Sequence, residues 1–187
     1  AKRNHVDIGQ NTIEEVQKTY QYDDLASFLA VYYPAMNVLQ TEADFYDLAF
    51  DYLKRAAQNN VRHVEIFFDP QAHTSRGISF ATVINGLYRA TVDARALNID
   101  AGLIMCFLRD FSKESARKTL AEALKYQDKI IGIGLDSDEH NNPPLKFARQ
   151  FEDAAAAGLH RTVHCDIDQK DSIEHIRQAL EIMEVER

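Results

Sequence analysis

The chain has 187 residues, 45% of them hydrophobic and 27% charged, a composition that can bury a substantial core and excludes intrinsic disorder. The 21 Lys and Arg against 29 Asp and Glu give a net charge of −8, which repels a phosphate backbone and disfavours nucleic-acid binding. Cys106 and Cys165 lie in apolar runs, so no disulfide framework is indicated, and neither a membrane span nor a signal peptide is visible. These features predict a cytoplasmic protein with no nucleic-acid or membrane partner.

The first third of the chain predicts two helices. Apolar residues recur at helical spacing over residues 22–39, behind Asp23 and Asp24 as candidate N-cap residues. Pro34 should bend this helix or end its first part. A second helix is predicted over residues 41–59, with a start signal at Thr41.

Beyond residue 60, predicted strands and helices alternate. This alternation is typical of βαβ units, and it predicts a parallel sheet with both faces covered. No Gly-rich phosphate loop follows a strand, which disfavours the nucleotide-binding doubly wound folds, although periodicity does not distinguish an open sheet from a closed barrel. The predicted strands span residues 61–68, 102–108, 130–135 and 161–165, and the helices span 80–97, 112–126, 144–157 and 172–184.

Polar residues follow every predicted strand. In parallel α/β proteins the reactive groups collect at the C-terminal ends of the strands, so these segments should meet at one rim. They bring several carboxylates and imidazoles to that rim, in residues 69–74, 109–110, 136–140 and 164–169.

His164 is the strongest single candidate for chemistry. It ends a buried strand beside Asp166 and Asp168, which are plausible partners for metal binding or for acid/base work. A hydrogen-bonded structural histidine explains the spacing equally well, because one His alone does not define a metal site. His160 lies four residues earlier, as in helical zinc sites, but a strand has a period of two and the match is accidental.

Two further groups of polar residues receive a weaker interpretation. Asp136, Asp138 and Glu139 could bind a metal or a substrate, but a solvated acidic loop is the favoured reading. His63 and Glu65 alternate within a strand, and no function is assigned to them.

Three collinear stretches of the sequence resemble the adenosine and adenine deaminase family, and its bacterial and fungal adenine deaminase branch in particular. They are residues 22–29, residues 65–74, and residues 132–137 running on to 143–147. The resemblance implies a (β/α)8 barrel in which a zinc ion at the mouth activates a water molecule. That water attacks C6 of a purine, and the amine leaves as ammonia.

The resemblance also implies roles for individual residues. His164 matches the zinc-binding His of the family's His-Ala-Gly-Glu motif. The backbone amide of Ser137 matches a donor to a purine ring nitrogen, and Asp138 beside it belongs to the same expected substrate site. The helix that carries Leu25, Phe28 and Leu29 matches an apolar lid over the substrate.

The sequence also departs from the family pattern. Ile167 occupies the position of the proton-transferring Glu, so Asp166, and after it Asp168, become the candidates for that role. The family's first-strand His-x-His pair, sixth-strand His and last-strand Asp are absent, whereas a zinc site needs about three or four protein ligands. We therefore expect residues 1–187 to form a single domain, an inactive internal fragment of the barrel that lacks its first and last strands.

Two alternative functions remain open at this stage. One is a non-catalytic relative that keeps the purine pocket and acts by binding. The other is a metal-dependent amidohydrolase that acts on another cyclic amine.

Overall fold

The computed structural model describes residues 1–165 and 170–187. Its centre is one four-stranded sheet in the order β1-β2-β3-β4, and every neighbouring pair of strands is parallel. Sequential parallel strands joined by helices are the repeating unit of a (β/α)8 barrel, so the predicted fold class is confirmed. The strands are β1 His63–Phe68, β2 Asp100–Leu108, β3 Gly132–Asp136 and β4 His160–Arg161.

Eight α-helices lie in the described part of the chain. Single turns of 3-10 helix extend several of them, and one π-helical turn, Gln178–Ile182, follows the last. None of the helices in residues 1–165 and 170–187 is long and apolar enough to cross a membrane. The helices are α1 Ile13–Lys18, α2 Leu25–Ala35, α3 Glu42–Gln58, α4 Pro70–Thr74, α5 Phe80–Asp93, α6 Lys113–Ala123, α7 Ala148–Ala156 and α8 Ser172–Arg177.

Local capping explains why the helix starts were predictable. Asp24 Oδ1 accepts a hydrogen bond of 2.8 Å from the amide of Ser27 at the start of α2, and Thr41 forms a capping box at the start of α3. Helix α2 runs through Pro34 and ends one residue later, at Ala35. The prediction missed α4, because Asp69 and Pro70 indicate a loop whereas Pro at the first helical position suits a short helix.

The two faces of the sheet have different surroundings. Phe107 points toward the helices, where its ring stacks on Phe147 at 6.2 Å and tilts against Phe151 at 6.4 Å. On the other face the chain is tightly packed, since a Cβ on Gly134 would lie 2.7 Å from Cys106 Sγ. The helix-facing side forms the main hydrophobic core, and the opposite side corresponds to the interior of the barrel.

Pairing with β3 continues past the two residues assigned to β4. The amide of Thr162 donates to the carbonyl of Ile133 at 3.0 Å, and the amide of His164 donates to the carbonyl of Leu135 at 3.2 Å. The predicted strand at residues 161–165 is therefore present in its hydrogen bonding as far as His164. This pairing fixes the position of His164 relative to the end of β3.

Candidate active site at the carboxyl ends of the strands

Three consecutive strands place potential ligand atoms together on the interior face. Asp69 directly follows β1, Cys106 lies within β2, and Asp136 ends β3. One ligand atom from each of these side chains lies within 4.8 Å of the other two. The parallel register places Asp69 level with Cys106, and Asp136 two residues beyond the partner of Cys106 on the same face, so the expectation that the strand ends share a rim is confirmed for these residues.

His164 joins this rim from the next strand. Its Nε2 atom lies 3.2 Å from Asp136 Oδ1, and its side chain remains 56% exposed. The edge of its ring faces Phe67, with 6.0 Å between ring centroids. His164 is thus an accessible imidazole beside a half-buried carboxylate, an arrangement that suits metal binding or proton transfer.

Burial, and the closeness of the two groups, shift the ionisation of the two strand-end carboxyl groups. Burial, followed by the charge of Asp136, raises the pKa of Asp69 well above its ordinary value. Burial also raises the pKa of Asp136, although His164, Cys106 and Asp69 each lower it. Two adjacent carboxylates in a poorly solvated site do not both ionise easily, so a proton shared by the pair is the favoured state without a bound cation.

Two tyrosines of α2, Tyr32 and Tyr33, belong to the apolar pattern of residues 22–39 and approach the rim. Burial, then the charges of Asp69 and Asp136, raise the pKa of Tyr32 to about 12. The pKa of Tyr33 is also raised by burial, while a contact with the Ser137 hydroxyl lowers it. Tyr32 and Asp69 line the same cavity, and Tyr33 contacts Ser137, so both tyrosine side chains lie beside the candidate site.

The predicted lid residues lie on the same helix. Leu25, Phe28 and Leu29 are all half-buried. The ring of Phe28 stacks on Tyr32 at 5.2 Å, and both rings line a cavity of about 400 Å³ between α2 and the N-terminal segment. Tyr32 also lines a second cavity of about 210 Å³ that includes Asp69. Phe28 is therefore linked to the rim through Tyr32.

Ser137 adopts an unusual backbone conformation. Its φ of +79° lies in the left-handed region, which is costly for a non-glycine residue and often accompanies function. Its Oγ atom is buried and has no well-aligned hydrogen bond among the described residues, although Tyr33 approaches it. Asp138 instead stabilises its own loop, since its Oδ1 accepts from the amide of His140 at 2.9 Å.

A fully buried arginine connects three parts of the rim. Arg109 Nε and Nη2 donate to the carbonyl of Asn142 at 2.9 and 2.6 Å, and Nη1 donates to the carbonyl of His164 at 3.0 Å. Arg109 Nη1 also lies 3.6 Å from Glu139 Oε1, and the two side chains are 0% and 2% exposed. The reading of residues 136–140 as a solvated acidic loop is therefore wrong for Glu139, because Arg109 makes its burial possible.

The other histidines at or near the strands have structural surroundings. His73 is buried beside Arg76, with His73 Nδ1 2.9 Å from Arg76 Nη2, and burial followed by the Arg76 charge lowers the pKa of His73 to about 4. His160 is exposed and pairs with Glu186 at 2.5 Å. Sequence reasoning missed Asp69 and Cys106 as individual site residues. The predicted proton-transfer residues Asp166 and Asp168 lie outside the described residues.

A run of sequential parallel strands, joined by helices and carrying metal-capable side chains at one rim, is a segment of a (β/α)8 barrel at the rim where such barrels carry their functional residues. The chain belongs to the adenosine deaminase family, since the family profile described as adenosine deaminase matches residues 1–187. The resemblance identified from the sequence is confirmed.

Individual relatives give a finer comparison. The chain is 50% identical over its whole length to an adenine deaminase of Vibrio parahaemolyticus, of which it covers 55%. It is 45% identical to the crystal structure of an adenine deaminase from Arthrobacter aurescens, with a TM-score of 0.95, covering 100% of this chain and 57% of the other. A zinc-bound amidohydrolase from Burkholderia ambifaria is 26% identical, with a TM-score of 0.75 over 92% of this chain and 52% of that one. The chain therefore spans about half the length of these relatives.

Proposed function

We propose that the full-length protein containing these residues catalyses the hydrolytic deamination of adenine or a related 6-aminopurine or its nucleoside, with release of ammonia, as a cytoplasmic step of purine salvage. The observation that carries the proposal is the similarity to the adenine deaminase of Arthrobacter aurescens, at 45% identity and a TM-score of 0.95. The candidate site agrees with it, because the polar groups lie at the rim where barrel enzymes carry out their chemistry.

We propose zinc as the cofactor, with His164 as its ligand in this part of the barrel. The exposed imidazole of His164 supplies a nitrogen donor of the kind that zinc accepts in catalytic sites, and the Asp136 carboxylate, 3.2 Å from Nε2, orients the ring. When bound, the ion supplies hydroxide near neutral pH by lowering the pKa of its water toward ~7. The rest of the ligand set has to come from outside residues 1–187, so the chain by itself should be inactive.

In this proposal the substrate lies between the strand ends and α2. Leu25, Phe28 and Leu29 cover it and exclude water, and Tyr32 and Tyr33 extend the same cover down to the carboxylates. The amide of Ser137 donates to a ring nitrogen, a role favoured by the left-handed backbone of this residue. Asp138 holds the loop that presents that amide. Asp166, with Asp168 as second candidate, transfers the proton to the purine ring.

The test is ammonia release by the full-length protein after zinc reconstitution, with adenine, adenosine, 6-substituted purines and a panel of other cyclic amines as substrates. Turnover of adenine supports the proposal, and turnover of a non-purine amine alone identifies a different amidohydrolase. Ile167 at the position of the family Glu favours one competitor, a protein that binds purine without turnover. Purine binding in calorimetry together with no ammonia from any substrate would establish that competitor.

A further inference from the structure

The Asp69, Cys106 and Asp136 side chains form a compact cluster on the interior face of the sheet. Their ligand atoms lie within 4.8 Å of one another. Asp69 is 8% exposed and Cys106 is 0% exposed, and the Asp136 side chain is 20% exposed. Each group comes from a different strand, so the hydrogen-bonded register of β1, β2 and β3 holds all three in place.

The charge of this cluster lacks a basic partner. Within residues 1–165 and 170–187, neither Asp69 nor Asp136 forms an ion pair with a Lys or Arg side chain, and the nitrogen beside Asp136 is that of the His164 imidazole, 3.2 Å away. Asp69 Oδ1 is buried and has no hydrogen-bond partner in the same part of the chain. Buried carboxylates are normally paired with a cation or coordinate a metal, because leaving them uncompensated costs several kcal/mol.

We propose that Asp69, Cys106 and Asp136 bind one divalent transition-metal ion, at a site beside but separate from the zinc position expected at His164. A thiolate with two carboxylates selects a zinc-like ion over Mg²⁺ or Ca²⁺, which prefer all-oxygen ligands. Bond lengths of ~2.3 Å to sulfur and ~2.0–2.2 Å to oxygen fit three donors this close after small rotations of the side chains. Three protein ligands leave a fourth position for water.

Binding exchanges protons for the metal. The Cys106 thiol loses its proton when the sulfur bonds to the ion, and the proton shared by Asp69 and Asp136 leaves when both carboxylates coordinate. Both protons pass to the solvent, and no electron transfer is involved. The site is independent of the proposed deaminase activity, since none of its three ligands is a residue to which the family resemblance gives a metal-binding role.

The experiment uses the full-length protein, stripped of metal by a chelator, kept reduced and titrated with Co²⁺. A thiolate-to-cobalt charge-transfer band in the near ultraviolet is expected, and it should persist in His164→Ala. Cys106→Ser should abolish the band, and Asp69→Asn should weaken this binding at least ~10-fold, the minimum loss seen even for groups that only support a ligand. Cys165→Ser and Asp128→Asn, the latter at an exposed carboxyl group, are matched controls that should keep both band and affinity.

The outcomes separate this site from the proposed function. Absence of the band, or its loss in Cys165→Ser instead of Cys106→Ser, would overturn the inference and leave a shared proton as the state of the cluster. If Cys106→Ser fails to fold, X-ray absorption at the zinc edge of the wild-type protein decides, since sulfur among the nearest neighbours of the ion supports the site and only nitrogen and oxygen refutes it. A protein that shows the band but releases no ammonia retains this site and loses only the deaminase proposal.

Discussion

His164 Nε2 lies 3.2 Å from Asp136 Oδ1, so side chains from two adjacent strands meet at the mouth of the candidate site. The contact follows from strand pairing, because the amide of His164 donates to the carbonyl of Leu135, one residue before Asp136. Groups held by a hydrogen-bonded sheet keep their relative positions better than groups on loops do. The geometry of this pair is therefore set before any ligand binds.

The first prediction tests His164 as a metal ligand. In the full-length protein, His164→Ala should lower zinc content and reduce ammonia release by more than ~100-fold, since even residues that only orient a ligand cost 10–100-fold. Zinc per chain is measured by elemental analysis, and activity at saturating adenine. His160→Ala is the matched control, because His160 is exposed and pairs with Glu186. Equal zinc content in both variants would contradict the assignment.

The second prediction concerns the buried Arg109. Arg109→Met should lower the free energy of unfolding by ~3–5 kcal/mol, because it breaks the buried pair with Glu139 and removes the donors to the carbonyls of Asn142 and His164. Urea unfolding followed by circular dichroism measures the change. Arg149→Met removes an exposed arginine and should cost less than ~1 kcal/mol. If Arg109→Met and Arg149→Met lower the free energy of unfolding equally, the contacts of the buried Arg109 do not stabilise this part of the rim.

Most of the elements were predictable because their signals are local. Asp24 and Thr41 cap helices within three residues of themselves, and apolar runs mark the strands. The contacts that build the site are not local. Arg109 and His164 are 55 residues apart in sequence, and Arg109 also pairs with the buried Glu139, 30 residues further along the chain.

Cys106 illustrates the same limit within the site. From the sequence it is a cysteine in an apolar strand, which is normally a core residue. Cys106 lies beside Asp69 and Asp136 because of the order and the register of the strands. The alternation of helices and strands in the sequence determines neither the order nor the register. Tyr33 shows the same limit, since helical spacing indicates on which face of α2 a residue lies but not which part of the fold that face covers.

The third prediction uses the raised pKa of Asp69. A carboxyl group with a raised pKa in the folded state stabilises the fold only below its unfolded pKa of ~3.9, and this contribution is lost as pH rises through the folded value. Asp69→Asn keeps a donor toward Asp136 and cannot ionise. With a chelator present, the variant should therefore gain stability relative to wild type as pH rises above the unfolded pKa of ~3.9.

Denaturant titrations at several pH values test this directly. Asp128→Asn changes an exposed carboxyl group and should follow the wild-type pH dependence. If the free energy of unfolding changes with pH in the same way for wild type and for Asp69→Asn, ionisation of the buried Asp69 does not affect stability.

The last prediction concerns the proton-transfer residue and follows from the alternation of side chains after β4. Thr162 faces the interior, since its Cγ2 lies 3.5 Å from the Cβ position of Gly134, and His164, two residues on, reaches Asp136 on the same face. If the alternation continues, Asp166 points inward and Ile167 outward. Asp166→Asn keeps the size and hydrogen bonding of the side chain but removes the ionisable group, so kcat for adenine should fall ~10²–10⁴-fold with KM little changed.

Asp168→Asn should lower kcat less than Asp166→Asn does. Asp171→Asn, at an exposed position before α8, should leave kcat unchanged. Loss of kcat in Asp168→Asn alone would mean that the strand turns before Asp166 and that the two roles are reversed, whereas full activity in both variants would remove this segment from proton transfer.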